Sequence, residues 1–477
     1  MDQTTYVNPL VERFATPQMV EVFSPQKKFS TWRRVWLALA EAQSELGLDI
    51  TPEQLEEMRQ NLDNIDFETA KAREREIRHD VMAHVYAFGL QCPKAKPIIH
   101  LGATSEFLNG NTDLLLMREA LMLVRGLLVN VLERIMKFAE KHSDLPTLGL
   151  THFQPAQPVT VGKRAVLWAQ DLLFDLDGME RLLAEMKCRG AKGTTGTQAS
   201  YLHLFDGDHD KVKRLDRLVA QKLGFSRTFP VTGQTYPRKV DTHVVTVLAG
   251  IGESAHKFAT DMRLLQGFKE VEEPFGEKQT GSSAMAYKRN PMRCERLCSL
   301  ARHLMLAPVH ASFTSATQWF ERTLDDSAIR RIYIPEAFMT CDAVLNLYLN
   351  VMENPEVYPE MMAKRLEAEL PFMATETILM ECVKRGGDRQ KLHAVIRDHA
   401  MSSARRVKEE GKDNDLIERL ASDPEVPLGR GEIESLLDLR KFVGRAPEQV
   451  AEFIKAQIRP VMEKYTELLG EKSDVHV

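Results

Sequence analysis

Four polar segments of this chain carry side chains that a purely structural helix has no use for. The first, "REIRHDVMAH" (75–84), sets Arg78, His79 and Asp80 side by side. Successive helical residues splay about 100° apart, so the three can line one pocket only at a helix end or a break. The alternative is an ordinary charged helix face. His79 and His84 stand at the wrong spacing for two zinc ligands on one helix face, and H-E-x-x-H is absent, so neither metal nor other cofactor is expected. The second, "IIHLGATSEFLNGNTD" (98–113), places Thr104 and Ser105 just before a long helix. Hydroxyls and free amides there can hold a carboxylate or phosphate, or simply cap the helix. The third, "LGLTHFQPAQPVTVGKR" (148–164), offers His152. Pro155 and Pro158 impose a rigid, extended path around it before a helix at 159. A histidine held that way suits proton transfer.

The fourth, "GSSAMAYKRNPMRCER" (281–296), joins Gly281 and two serines to Lys288, Arg289, Arg293 and Arg296. It lacks the G-x-S-x-G, S-x-x-K and Walker patterns, which weakens hydrolase and nucleotide-hydrolysing readings. Its small residues permit movement and its cations can meet anions.

Long helices must position these segments. Over 112–142, Leu114, Met117, Leu121, Val124, Leu128, Val131, Ile135 and Phe138 step by three and four, a heptad seam. Similar seams run through 159–187, 239–267 and 335–352. The expectation is an all-α chain of three helical units: 1–104, a central long-helix bundle at 105–357, and 358–477. Second apolar stripes, Leu114-Leu115-Leu116 and Leu127-Leu128-Val129, predict burial by another subunit and hence a homo-oligomer.

The bulk numbers set outer limits. With 477 residues, 43% hydrophobic and 27% charged, the chain can bury a large core. A net charge of -5 argues against a surface built for nucleic acid or anionic membrane. The six cysteines show no C-x-x-C spacing, and the first residues lack an apolar signal region. No apolar run reaches the ~20 residues of a membrane helix. A soluble, cytoplasmic protein is expected.

"GSSAMAYKRNP" closely resembles the G-S-S-x-M-P-x-K-x-N-P signature of the fumarase/aspartase superfamily. With "RHDVMAH", "IIHLGATS", "THFQPAQ", "KGTTGTQAS", "TGQTYPRKVD" and "QWFERTLDDSAIRR", the resemblance is to its adenylosuccinate lyase branch, over essentially the whole length. It implies three helical domains, a twenty-helix core in a homotetramer, and active sites each shared by three subunits. It also implies β-elimination of fumarate from purine nucleotide substrates, adenylosuccinate and SAICAR. Carried over residue by residue, it makes Ser282 the general base and His152 the general acid. Lys288 and Asn290 stabilise the aci-carboxylate, helped by Thr104 and Ser105. His79, with Arg78 and Asp80, orients substrate, and His100 assists. Arg322, Ser327 and Arg331 suit the phosphate, and Arg13, Phe14, Gln234 and Arg296 match further contacts.

The chain departs from the pattern twice. Ala286 stands where the signature has proline, which removes a φ restraint and predicts a more mobile loop. Phe14 stands where a hydroxylated aromatic is common, so a contact through that hydroxyl is lost. Rival readings are a nucleic-acid binder using 287–302, a non-catalytic helical scaffold, and an argininosuccinate lyase, whose substrate has no phosphate.

Overall fold

The computed structural model describes residues 4–276, 278–473 and 475. Helices dominate, and the strands among the described residues are short, paired two-residue pieces. The frame is a set of long helices: Ser105–Lys141, Val161–Glu185, Lys239–Gly267 and Asp326–Glu353. At 1.5 Å per residue the first is about 55 Å long, and it begins several residues earlier than the heptad seam alone indicates. Every seam residue expected on it is buried, from Leu114 to Phe138. None of the described helices is long and apolar enough to cross a membrane.

The direction of each helix follows from its contacts. Phe258 stacks on Tyr348 at 3.8 Å, so Lys239–Gly267 and Asp326–Glu353 run the same way. Trp168 Nε1 donates to Asp261 at 2.7 Å, and Ser254 Oγ donates to Asp175 at 2.6 Å, so Val161–Glu185 runs back against them. The helix Pro25–Glu45 packs across the early part of Ser105–Lys141.

The paired apolar stripes of Ser105–Lys141 are covered by the chain itself. Leu116, Leu127, Leu128 and Val129 are buried and Leu115 half-buried. The C-terminal segment contributes, with Asn130 held to Leu468 O at 2.7 Å and Gly470 N at 3.0 Å. Large apolar side chains stay exposed on other helices instead: Leu167, Phe174, Leu264, Val309 and Phe313. Past residue 370 a second small core forms around Ile378, Leu392, Leu416 and Ile433, while Val450, Ile454 and Ile458 return to the main core.

One buried carboxyl titrates near neutrality. Burial of Asp175, with Asp171 and Glu253 nearby, pushes it up to about 7, against the opposing bond from Ser254. Its folded value lies above the model-peptide 3.8, so the folded chain holds the extra proton between the two values. Stability therefore falls as pH rises through that window and is lowest above it. Asp175→Asn should stabilise the fold more at pH 8 than at pH 5, by on the order of 2–4 kcal/mol at the higher pH, read as a larger rise in melting temperature there. Equal shifts at both pH values would show that the carboxyl is not the source.

Candidate active site

The sequence-predicted residues fall into three groups at two ends of the bundle. The first group sits where three long helices begin. The helix Phe67–Ile77 stops at Arg78, which takes a left-handed conformation (φ 54°), and Asp80–Gln91 starts two residues later. Arg78, His79 and Asp80 therefore occupy a helix break, the geometry in which adjacent side chains can share a pocket. His79 Nδ1 accepts from the Met82 amide at 3.4 Å, so neutral His79 carries its proton on Nε2, 3.4 Å from Ser105 Oγ. Asp80 Oδ2 accepts from Arg331 at 3.3 Å.

His100 is fixed differently. Its Nδ1 accepts from Trp36 Nε1 at 3.0 Å on a backbone with φ 69°. Burial, with His79 nearby, pulls its pKa down to about 4, so near pH 7 it is neutral with the proton on Nε2. His84, by contrast, stacks on Phe29 at 3.8 Å inside the aromatic core and is structural. Thr104 occupies the N-cap position of Ser105–Lys141, yet its hydroxyl makes no capping bond. The hydroxyl and first amides stay available to an anion at the helix's positive end.

Beside this group lies a cavity of about 240 Å³ lined by Arg322, Ser327 and Arg331 and floored by buried ion pairs. Arg238 bonds Asp326 at 2.6 Å and approaches Glu106 at 3.4 Å. One turn deeper, Arg330 joins Asp241 at 2.7 Å and Asp113 at 2.9 Å. Gln234 adjoins the same end. Its amide donates to Glu321 O at 2.9 Å, and buried Arg189 donates to its carbonyl at 2.8 Å. Arg189 also holds Gly190 O and Gly193 O, tying "TGQTY" to the "KGTTGTQAS" loop. Sequence reasoning assigned no role to Arg189. Arg189 stands between Lys187 and Lys192, and nothing in the local sequence marks it as buried.

The second group is the 281–296 segment, at the far end of Lys239–Gly267. Its base is rigid. Gln266 Nε2 donates to Arg289 O at 3.0 Å, and buried Glu273 accepts from the Arg293 and Cys294 amides at 3.0 and 2.9 Å. Its tip is exposed, Tyr287 to 86%. Within the loop, Ser282 Oγ accepts from the Ala284 and Met285 amides at 3.3 and 3.2 Å. Two amides aimed at one hydroxyl oxygen favour its anionic form. Asn290 Nδ2 is committed to Gly281 O at 2.8 Å, and the Lys288 ammonium has no hydrogen bond among the described residues. Near the base, Arg296 lies 5.7 Å over the Phe14 ring, with Arg13 close enough to lower its pKa after burial does so.

The third group is His152 alone. Strands Leu150–Thr151 and Gln154–Pro155 pair antiparallel, and His152 and Phe153 form the two-residue turn with φ 52° and 57°. This is a tight hairpin with two left-handed non-glycine residues, in place of the extended path expected from the prolines. The following helix begins at Val161, after the pair Val159–Thr160, two residues later than expected. Such backbone costs about 1–3 kcal/mol per residue and is common at functional sites. Phe153 stacks on Phe268 at 5.7 Å, and the imidazole of His152 is exposed and unbonded among the described residues.

A single helix measures the distance between the first two groups. Arg238 borders the cavity and Gln266 anchors the Ser282 loop, and the helical rise between them is about 42 Å. No small substrate spans that rise within one chain.

Comparison with known proteins places this architecture. Residues 13–306 match the family model described as Lyase, and the chain is a lyase of the fumarase/aspartase superfamily. Residues 371–453 match the model described as Adenylosuccinate lyase C-terminus. The chain is 52% identical over 474 residues to a Saccharomyces cerevisiae protein named adenylosuccinate lyase, covering 99% of this chain and 98% of that one. A Schizosaccharomyces pombe protein of the same name is 50% identical with the same coverage. The chain belongs to the adenylosuccinate lyase family. Among solved structures, the 3-carboxy-cis,cis-muconate lactonizing enzyme of Pseudomonas putida superposes with a TM-score of 0.83 at 22% identity, covering 95% of this chain and all of the other. That likeness shows the fold.

Ala286 has a defined place in the loop. The Lys288 amide donates to Met285 O at 3.0 Å, which makes Met285–Lys288 a β-turn with Ala286 as its second residue. Proline is favoured at that position because its fixed φ fits and no amide proton is needed. The Ala286 amide makes no backbone hydrogen bond among the described residues. Ala286→Pro should therefore order the turn at no cost in bonding, worth about 0.4–1 kcal/mol. The expected readout is a two- to five-fold rise in kcat/KM and slower amide exchange at 285–288. A loss of activity would show that the free loop needs conformations proline forbids.

Proposed function

We propose that the chain eliminates fumarate from adenylosuccinate, giving AMP, and from SAICAR, giving AICAR, in purine nucleotide synthesis. The observation that carries this reading is near-complete coverage at 52% identity to a relative of that name. In the reaction Ser282, as alkoxide, takes the proton from the carbon beside a carboxylate. The electron pair moves into that carboxylate as a dianionic aci form. When it returns to make the fumarate double bond, the C–N bond breaks, and the leaving nitrogen takes its proton from His152. The Ala284 and Met285 amides support the Ser282 alkoxide from within the loop. Lys288 and Asn290 serve the aci-carboxylate after loop closure, Asn290 through the second proton of the amide that holds Gly281 O. Thr104 and Ser105 add donors, and His79, Arg78, Asp80, His100 and Gln234 orient the substrate. Arg322, Ser327 and Arg331 take the phosphate, and Arg13, Phe14 and Arg296 close the remaining wall.

This assignment needs several copies of the chain. We read the active form as a homotetramer whose exposed apolar helices pack together and whose sites each draw on three subunits. The roughly 42 Å separation within one chain supports that reading, as does the uncovered apolar surface on Leu167, Phe174 and Phe313.

Purified protein mixed with adenylosuccinate should show the ultraviolet change of AMP formation. Cleavage of argininosuccinate instead would overturn the substrate. Ser282→Ala and His152→Ala should each lower kcat by about 10²–10⁴-fold with the oligomer intact. Mixing inactive His79→Ala subunits with inactive Ser282→Ala subunits should restore a substantial part of the activity, because some sites then receive both native side chains. If the mixed oligomers stay inactive, both groups come from one chain and the shared-site reading fails.

A further inference from the structure

The cavity at the starting ends of the three long helices holds one cation that the sequence motifs did not indicate. Lys28, on the Pro25–Glu45 helix, lines it opposite Arg331 and Ser327. The cations there are not equally paired. Arg238 is matched by Asp326 and Glu106, and Arg330 by Asp241 and Asp113. Arg322 shares Glu106 and Asp326 at 3.3 and 3.5 Å. Arg331, more than half exposed, has Asp80 as its one ion-pair partner among the described residues. Lys28 has no side-chain hydrogen bond or ion pair among the described residues. Its ammonium lies 5.1 Å from the Trp32 ring centroid and 5.4 Å from that of Phe29.

Those two rings explain why the charge survives there. Burial first, then Arg331, lowers the Lys28 pKa, while Asp113, Asp80 and Glu74 act in the opposite sense. Ring faces attract a cation without neutralising it. The result is a half-buried ammonium held beside a guanidinium, with its three protons uncommitted. Two neighbouring cations in a partly dry cavity repel, and a small dianion between them removes the repulsion and takes hydrogen bonds from both.

We propose that Lys28 is a further ligand of the substrate's phosphate monoester, acting with Arg331 and Ser327. The inference rests on the reading of the chain as a nucleotide lyase and adds a residue to its binding site. Lys28 supplies a point charge from the N-terminal helical layer, whereas Arg331 and Ser327 come from the Asp326–Glu353 helix. Phosphate binding would thus clamp the N-terminal layer onto the bundle. The bond to Asp80 gives Arg331 an alternative partner that phosphate displaces, which returns Asp80 to the His79 break.

The test separates phosphate recognition from folding. Lys28→Met keeps the length of the stem and removes the charge, and Lys28→Arg keeps the charge. Each variant is compared with the native protein on adenylosuccinate and on the matching nucleoside without phosphate. Lys28→Met should lower kcat/KM for the nucleotide by about 10- to 100-fold, chiefly through KM, and for the nucleoside by less than about three-fold. Lys28→Arg should recover most of the loss. In parallel, AMP should raise the melting temperature of the native protein and of Lys28→Arg well above the effect of adenosine, and do so far less for Lys28→Met. Equal losses on both substrates, or equal stabilisation of Lys28→Met by AMP, would overturn the assignment. Failure of the native protein to cleave adenylosuccinate would instead overturn the function on which it rests.

Discussion

The buried ion pairs between Arg238, Glu106 and Asp326 set the geometry on which everything else depends. Glu106 lies in the first turn of Ser105–Lys141, Arg238 immediately precedes Lys239–Gly267, and Asp326 opens Asp326–Glu353. The three side chains are almost wholly buried. Removing one partner of such a knot strands a buried charge and costs about 3–5 kcal/mol. A second layer, Asp113, Asp241 and Arg330, links the same three helices one turn further in. Heptad seams fix how helices lie side by side but tolerate sliding by a repeat. Charged pairs that must meet in the interior forbid that slide. Three helix starts are thereby held level, and their positive ends surround one cavity.

That alignment has a cost at the other end. Helices that begin together and run about 42 Å carry the Ser282 loop far from the cavity they define. A shorter bundle would bring both groups together but bury less apolar surface. The fold instead leaves Leu167, Phe174, Leu264 and Phe313 uncovered along its flanks, the surfaces that the proposed tetramer would bury. On this view catalysis and assembly are one problem. In the proposed tetramer, the rigidity that keeps the two groups apart in each chain also makes the position of each contribution reproducible.

How much of this was legible in the sequence depends on the range of the forces involved. Helix identity and core seams were readable because a heptad is a local, repeating signal, and Leu114 to Phe138 lie buried as the spacing required. The Arg78–His79–Asp80 break was readable as a condition, since three adjacent polar residues share a pocket only at a break. The path around His152 was misread. Pro155 and Pro158 suggested extended chain, yet the turn is closed by strand pairing between Leu150 and Pro155, and its left-handed residues are not glycines. The leucine stripes of Ser105–Lys141 were readable as apolar but not as to what covers them. The cover comes from Pro25–Glu45 and from residues beyond 446, hundreds of positions away in the second case. Arg189 and Lys28 were invisible for the same reason: each gains meaning from partners that only the fold delivers.

On the proposed assignment, the Ser282 loop places a weak acid to act as a base. A free serine hydroxyl holds its proton far too tightly near neutral pH. Two backbone amides on its oxygen lower the cost of the alkoxide, but in an exposed loop water competes and the gain is small. Under the proposed mechanism the gain grows only when the loop closes and water leaves, and at that point Lys288, without an ion pair among the described residues, can add its charge. The base, held by Gln266 and Glu273, and the exposed tip divide the labour in that proposal: the base keeps Ser282 in place, and the tip carries the Lys288 charge. Substitution of the turn proline by Ala286 loosens the turn. Of the amide pair on Ser282, that of Ala284 lies before the turn and that of Met285 belongs to its first residue, so the looser turn reaches one of the two donors as well as the exposed tip.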